Sequence, residues 1–480
     1  MNRRFLIVTS LMLALWLPQL SAQTSWKQIP IPTLPAFHPQ EPKRIQLPNG
    51  MVIFLQEDHE LPLIDGLARI RGGARSEPAA KSGLMDIYGE VWRTGGTKTQ
   101  TGDQLDDFLE IRAARVESST ASDSTMLSWS CLKGDFEDVF KVFNDLLRNP
   151  EFRQDKIDLA KGEEFDAISR RNDDVSGIAS REMTKLAYGT DNPYARVPEF
   201  TSVAAITRED LVAWHKAQVQ PNNIIIGIVG DFESAQMEAK LRQAFGDWSK
   251  GPAWQEPKID FQPAKPGYYL VPKEDVNQSS IRMVELGTLR SNPDYFAIQV
   301  FNDAFGGGFQ SRLFRNIRTV KGLAYGVGGG IGTAFDHPGI LQIAMGTKSG
   351  STVEAIQALY EEIDNLKTHP LTESEIKDAK DSILNSFVFN FDSPDKVLRE
   401  RMAYEFYGYP ADFLERYRAG IDKVQPADVA RVAEKYLHKD QLAVLVVGNT
   451  KEFDKPLSSL GPVTTLDISI PPPPGEKQGN

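Results

Sequence analysis

The strongest constraint on the fold is that the chain repeats itself. Ile206 to Gly230 reads ITREDLVAWHKAQVQPNNIIIGIVG, and Val424 to Gly448 reads VQPADVARVAEKYLHKDQLAVLVVG. The two segments align over 25 positions without a gap, at an offset of 218. Each reads as a capped helix, a short turn and a buried strand ending in Val-Gly. Tyr188-Gly189 recurs as Tyr407-Gly408 at an offset of 219, and Asn149-Pro150 corresponds to His369-Pro370 at 220. Landmarks in one order at nearly one offset indicate a duplicated domain of about 200 residues. A length of 480 residues also exceeds what one ordinary core supports.

The elements of each half fall in the order strands, helices, strands, helices, last strand. This predicts an α+β fold, with helices packed on a mostly antiparallel sheet in each of two homologous domains. Arg44 to Glu57 reads as a hairpin turning at Asn49-Gly50, and Leu63 to Gly72 as a further strand. Gly102 to Arg112, Phe136 to Leu147 and Asp155 to Arg171 read as helices, and Val116 to Ser122 and Thr125 to Cys131 as strands. The expected boundaries are a leader over 1–22, an extended arm over 23–42, an N-terminal domain over 43–250 and a Pro-rich linker over 251–267. A C-terminal domain over 268–460 and an extended, mobile Pro-rich tail over 461–480 complete the chain.

Gly83 to Thr97 reads GLMDIYGEVWRTGGT. Leu84, Ile87, Tyr88, Val91 and Trp92 form one face of an amphipathic helix. Ser82 is the expected N-cap, and Gly95 with Gly96 turn the chain at the far end. The opposite stripe is Asp86, Gly89, Glu90 and Arg93. An H-x-x-E-H motif on such a helix would set its two imidazoles at Asp86 and Glu90 and its general base at Gly89. Here both imidazole positions are carboxylates and the base position is a glycine.

The frame of this segment, G-L followed by W-x-x-G-G-T, resembles the zinc helix of the inverted-zincin metallopeptidases, the insulinase, pitrilysin and mitochondrial-processing-peptidase superfamily. The resemblance spans nearly everything from Arg44 to Leu460 and implies a processing-peptidase-like clamshell half. In the superfamily a glutamate about 77 residues beyond the second histidine is the third zinc ligand. That count from Glu90 reaches Ala167, which has no ligand atom. Glu163 and Glu164 lie nearby, but one helical turn is about 6 Å along the axis, far outside the tolerance of a zinc site. His38, His59, His215, His337, His369 and His438 are the only histidines, and no two lie within five residues of each other. The metal-site positions are therefore degenerate, and the resemblance implies no zinc or other cofactor in this chain. A hard cation between Asp86 and Glu90 is the alternative to a solvated or salt-bridged helix face.

Phe305 to Tyr325 reads FGGGFQSRLFRNIRTVKGLAY. It resembles the superfamily's C-domain pattern, and Arg318 and Tyr325 match its arginine–tyrosine pair. The resemblance implies that this pair grips a substrate peptide beside zinc. An arginine can hold a peptide carbonyl and a tyrosine can donate to a developing oxyanion. Gly306 to Gly308 lacks the Lys-Ser/Thr of a phosphate loop and suits close helix–strand packing instead. In the same frame, Val116 to Ser122 takes the place of an exposed sheet edge that adds substrate as a strand. Its small polar residues suit an extended peptide and equally a solvated edge.

Arg3 and Arg4 precede the apolar run Phe5 to Leu17 and the small residues at Ser21-Ala22, the pattern of a signal peptide. The formal charge is −11, and −13 once those two arginines are removed, which disfavours nucleic acid. Cys131 is the only cysteine, so no internal disulfide is expected. Secretion without disulfides fits a bacterial periplasm, with an N-terminal membrane anchor as the alternative. The resemblance, altered at the zinc positions but keeping the Arg318–Tyr325 pair, implies the non-catalytic subunit of a heterodimeric zinc peptidase, with zinc on an H-x-x-E-H partner. A peptide-binding or scaffold protein of the same fold, and a hydrolase with a rebuilt metal site, are the other readings.

Overall fold

The computed structural model describes residues 39–475. The leader, the arm up to residue 38 and the last five residues lie outside the described residues.

The N-terminal half carries strands β1 (Lys43–Gln46), β2 (Val52–Glu57), β3 (Leu63–Arg71), β4 (Arg115–Thr120), β5 (Ser124–Leu132) and β6 (Ile224–Gly230). Its helices are α1 (Leu84–Thr94), α2 (Gly102–Glu110), α3 (Phe136–Arg148), α4 (Gln154–Arg170), α5 (Val175–Tyr188), α6 (Phe200–Ala204), α7 (Arg208–Gln218) and α8 (Ser234–Phe245). The C-terminal half carries β7 (Gly267–Pro272), β8 (Gln278–Leu286), β9 (Thr288–Leu289), β10 (Gly326–Gly330), β11 (Thr333–Ala334), β12 (Ile340–Lys348), β13 (Ala443–Gly448) and β14 (Val463–Thr465). Its helices are α9 (Tyr295–Gly306), α10 (Thr352–Thr368), α11 (Glu373–Ser386), α12 (Pro394–Tyr407), α13 (Phe413–Lys423) and α14 (Pro426–Tyr436).

Each half builds a six-stranded sheet, ordered β1-β2-β6-β3-β5-β4 in the first and β10-β12-β8-β13-β7-β14 in the second. Only β2–β6 is parallel in the first sheet, and β13–β7 and β7–β14 in the second. The expected mostly antiparallel α+β architecture is therefore present twice. The aligned repeats are α7 with β6, and α14 with β13. Gly50, at φ +93°, turns the β1–β2 hairpin as its Asn-Gly sequence requires.

The two halves exchange one helix each. β6 and β13 are buried along their whole length, so both faces of each strand need an apolar cover. One face of β6 meets its own half's core. The other face lies under α12 of the opposite half, where Leu398, Met402 and Phe406 pack on Val52, Phe54, Leu67, Ile225 and Val229. Reciprocally, Ile178, Ala179 and Leu186 of α5 pack on Val271, Leu445 and Val447 of the second sheet. Burying each large apolar side chain contributes about 1.5–3 kcal/mol, so the exchange couples the halves firmly. The repeated Tyr-Gly pairs end these two helices, with Gly189 and Gly408 at positive φ. Neither helix is among those expected from the sequence, where only the Tyr-Gly landmarks at their ends are singled out.

Residues 251–265 of the linker form no regular element. Their backbone runs along the end of α5, with Gln262 N donating to Tyr188 O and Ala264 N to Leu186 O. The tail differs from the mobile segment expected. β14 adds to the sheet edge beside β7, and Leu466, Ile468 and Ile470 pack against buried clusters of both halves. The alternating apolar residues Leu466, Ile468 and Ile470, overshadowed in the sequence by the prolines that follow, explain this docking.

Candidate functional site

Helix α1 buries the face expected of it. Leu84, Ile87, Tyr88, Val91 and Trp92 are all inaccessible or nearly so. Their polar atoms are satisfied inside the core, the Tyr88 hydroxyl on His215 Nδ1 at 2.8 Å and Trp92 Nε1 on the Leu146 carbonyl at 2.8 Å. Burial pushes the His215 imidazole down to about 4, so this histidine is a neutral core group.

Ser82 does not cap the helix. The N-cap is Gly83 at φ +97°, and a short 3-10 turn at Ala79–Lys81 brings Glu77 back over the helix end. The Glu77 carboxylate accepts from Gly83 N at 3.2 Å and Met85 N at 3.1 Å. Ser82 Oγ donates instead to the Ala79 carbonyl. Glu77 escapes a search restricted to the residue just before the helix.

The polar stripe divides in two. Asp86 and Glu90 are exposed, whereas Gly89 and Arg93 are covered by β4. A Cβ at Gly89 would lie 3.0 Å from Thr120 Cγ2, 3.1 Å from its Oγ1 and 3.3 Å from its backbone N. Ser118 Oγ donates to the Gly89 carbonyl at 2.6 Å and accepts from Arg93 N at 3.1 Å. Arg93 Nε donates to the Val116 carbonyl at 3.1 Å, and its other end pairs with Asp106. β4 is the sheet edge, and α1 already occupies one of its carbonyls.

Ala167 lies exposed on α4 and brings no donor to this region. One turn earlier, Glu164 feels the charge of Asp86. Burial, then Asp86 and Glu163, push its carboxyl up to about 7. Burial also pushes Glu77 up to about 7, with Asp86 adding to the shift against its two backbone hydrogen bonds. Asp86 itself is raised by desolvation although it stays accessible, the situation of a side chain in a recess. Among the described residues, no three or more His, Cys, Asp or Glu side chains form a group able to hold a metal. The residues at the motif positions do not fit zinc: two of the four carry no ligand atom, and no imidazole is among them.

Arg318 and Tyr325 are brought together. Phe314–Val320 is a π-helix, a geometry that recurs at functional positions. It places the Arg318 guanidinium 4.7 Å from the Phe314 ring centroid and 5.5 Å from that of Tyr325. Tyr325 is 83% exposed, so the segment Gly322–Tyr325 is not a buried strand start. Arg312 anchors the π-helix, with Nε and Nη2 on the Glu375 carboxylate at 3.0 and 2.5 Å and Nη1 on the His369 carbonyl at 2.6 Å. These bonds help pull Glu375 down to about 2, against the opposing cost of burial. Gly306 lets α9 meet β10, since a Cβ there would stand 2.3 Å from the Gly329 carbonyl. Among the described residues, no hydrogen bond or ion pair links Arg318 or Tyr325 to Asp86, Glu90 or any residue of α4.

With this geometry in view, two family patterns match the chain. "Insulinase (Peptidase family M16)" matches residues 68–189, which contain α1 and the edge strand, and "Peptidase M16 inactive domain" matches residues 205–383, which contain the Arg318–Tyr325 pair. Together they span more than half of the sequence.

The chain belongs to the M16 peptidase family.

This M16 chain is 24% identical, over 82% of its length and 89% of the relative's, to an uncharacterized zinc protease of Mycobacterium leprae. It is 22% identical, over 83% of its length and 92% of the relative's, to the non-peptidase homolog YmxG of Helicobacter pylori. In fold it is similar to a peptidase M16 inactive domain from Pseudomonas fluorescens, with a TM-score of 0.75 and 24% identity over 86% of this chain and 99% of that one. A protease from Helicobacter pylori gives a TM-score of 0.74 at 16% identity, over 86% of this chain and all of that one. Asp86, Gly89 and Glu90 lie on α1, inside the segment that the insulinase pattern matches. Among the described residues, no helix is long and apolar enough to cross a membrane.

Proposed function

We propose that this M16 chain is the non-catalytic, substrate-binding subunit of a heterodimeric zinc metallopeptidase acting on unfolded peptides in the periplasm. The observation that carries the reading is a division of labour within one fold. The zinc-helix stripe has no usable donor set and is half covered by β4, whereas Tyr325 is exposed and stacked with Arg318. In this reading the partner subunit, an H-x-x-E-H chain, holds the zinc. Arg318 grips a carbonyl of the extended peptide, and the Tyr325 hydroxyl donates to the oxygen that gains charge as the carbonyl is attacked. Among the described residues neither has an ion-pair partner and neither lies in a core cluster, so we expect both to be dispensable for folding.

The test is a reconstituted pair with Arg318→Ala or Tyr325→Phe in this subunit. We expect cleavage of an unstructured peptide to fall by about 10²-fold, the usual scale for removing an oxyanion donor, with assembly and thermal stability unchanged. Full activity of both variants would leave the pair with no substrate-side role.

The name of the Helicobacter pylori relative favours a second reading, a peptide-binding or scaffold protein without a catalytic partner. Peptide affinity that depends on Arg318 while no H-x-x-E-H chain co-purifies would support it.

A further inference from the structure

A cavity of about 620 Å³ opens between α9, the end of α11, α12 and α13. It lies in the C-terminal half, is not lined by Arg318 or Tyr325, and plays no part in the function proposed above. Its walls are aromatic. Phe387 stacks on Tyr417 at 5.2 Å, Tyr295 lies 6.0 Å from Tyr417, and Tyr404 meets Phe413 at 5.4 Å. A volume of this size is in the usual range of small-molecule sites, which combine apolar walls with a few polar groups that fix orientation.

The polar group here is Arg290. Its guanidinium stacks on Phe335 with Cζ 3.8 Å from the ring centroid, and lies 5.7 Å from the Tyr295 centroid. Burial raises the hydroxyls of Tyr295, Tyr404, Tyr409 and Tyr417 above the usual range, and the nearby charge of Arg290 opposes that rise in each. Among the described residues no carboxylate pairs with it, and its buried Nε has no hydrogen-bond partner. The other charges of the lining are accounted for. Lys396 pairs with Asp392 and Arg399 with Asp395, each at 2.8 Å, and Glu400 is engaged by the Tyr404 hydroxyl. Among the described residues Arg290 is thus the one cation of the lining without an ion-pair partner, and the one carboxylate near it, Glu400, is held by the Tyr404 hydroxyl. Desolvating an arginine with no anion is costly, and its planar fork fits a carboxylate with two parallel hydrogen bonds.

We propose that this cavity binds a carboxylate carried on an aromatic body, with the carboxylate on Arg290 and the ring among Tyr295, Phe387 and Tyr417. Two sources share that chemistry, a free aryl carboxylic acid and the C-terminal aromatic residue of a peptide.

The test is calorimetric titration of the purified protein with N-acetyl-phenylalanine, its amide, and a Gly-rich hexapeptide ending in phenylalanine as free acid or amide. We expect the free acids to bind roughly tenfold or more tightly than the amides, the scale of one lost charge-assisted contact. Arg290→Gln should remove that preference. Because Arg290 also stacks on Phe335, a second variant is needed, Ser386→Trp, which fills the mouth from an exposed position and should abolish binding of both. Hexapeptide binding as tight as that of acetyl-phenylalanine identifies a peptide terminus as the ligand, and binding of acetyl-phenylalanine alone identifies a free acid. Absence of binding by every acid, or acid binding that both variants leave intact, overturns the proposal.

Discussion

Gly89 and Thr120 are in contact across the boundary between α1 and the edge strand: a Cβ on Gly89 would stand 3.0 Å from Thr120 Cγ2. The lack of a side chain at Gly89 lets α1 lie close to β4. The Thr120 side chain is β-branched and stiff, and its backbone is held in register opposite Thr125. Replacing a mid-helix glycine with alanine normally gains about 1 kcal/mol. Here we expect Gly89→Ala to be neutral or to destabilise by about 1 kcal/mol, because overpacking offsets the gain. Thr120→Ser in the same chain should recover most of the loss. Urea unfolding of the two single variants and the double variant measures this coupling.

Rebuilding the motif as Asp86→His, Gly89→Glu and Glu90→His should not by itself create a stoichiometric zinc site. The glutamate has no room beside Thr120, and the third position is Ala167, exposed and without a donor. Metal content after dialysis against zinc is the check, with less than one equivalent expected.

Glu164 gives a pH signature. Burial and the neighbouring acids raise its carboxyl to about 7 in the fold, against 4.5 as the ordinary value. Above 4.5 the unfolded chain ionises this group while the folded chain keeps its proton, so stability falls as pH rises from about 4.5 to 7 and stays lower beyond. Glu164→Gln removes that penalty. We expect the variant to match the parent at pH 4 and to exceed it by about 1 kcal/mol at pH 8, after allowance for solvent screening. Thermal melts of both proteins across this range test the sign.

The exchanged helix gives a fourth test. A Cβ on Gly227, in the middle of β6, would stand 2.2 Å from Met402 Sδ and 3.2 Å from Leu398 Cδ2. We expect Gly227→Val to destabilise by about 1–3 kcal/mol and Met402→Ala by about 2–5 kcal/mol. The double variant should lose less than the sum, because the shortened side chain makes room for the new one. Additive losses would mean that α12 does not sit on β6.

Much of this fold was legible in the sequence because it rests on local periodicity. The hairpin at Asn49-Gly50, the buried face of α1, and α7–β6 repeated as α14–β13 all appear where spacing predicted them. The features that were not legible depend on partners distant in sequence. Nothing in the sequence of α12 shows that Met402 meets Gly227, nor does Leu466 reveal that the tail docks. Glu77 reaches the end of α1 only because a 3-10 turn folds it back. At the site, the residue types at Asp86, Gly89, Glu90 and Ala167 are plain in the sequence, but their surroundings are not. The contribution of Ser118, which inserts between Gly89 O and Arg93 N, required the three-dimensional structure.

The most direct test is to measure zinc content and peptide cleavage together, for the purified protein alone and mixed with an H-x-x-E-H M16 chain from the same source. We expect less than one zinc per chain and no cleavage alone, with cleavage appearing in the mixture and falling on Arg318→Ala. One zinc per chain, with cleavage by the protein alone that a chelator abolishes, would contradict the assignment of a non-catalytic subunit.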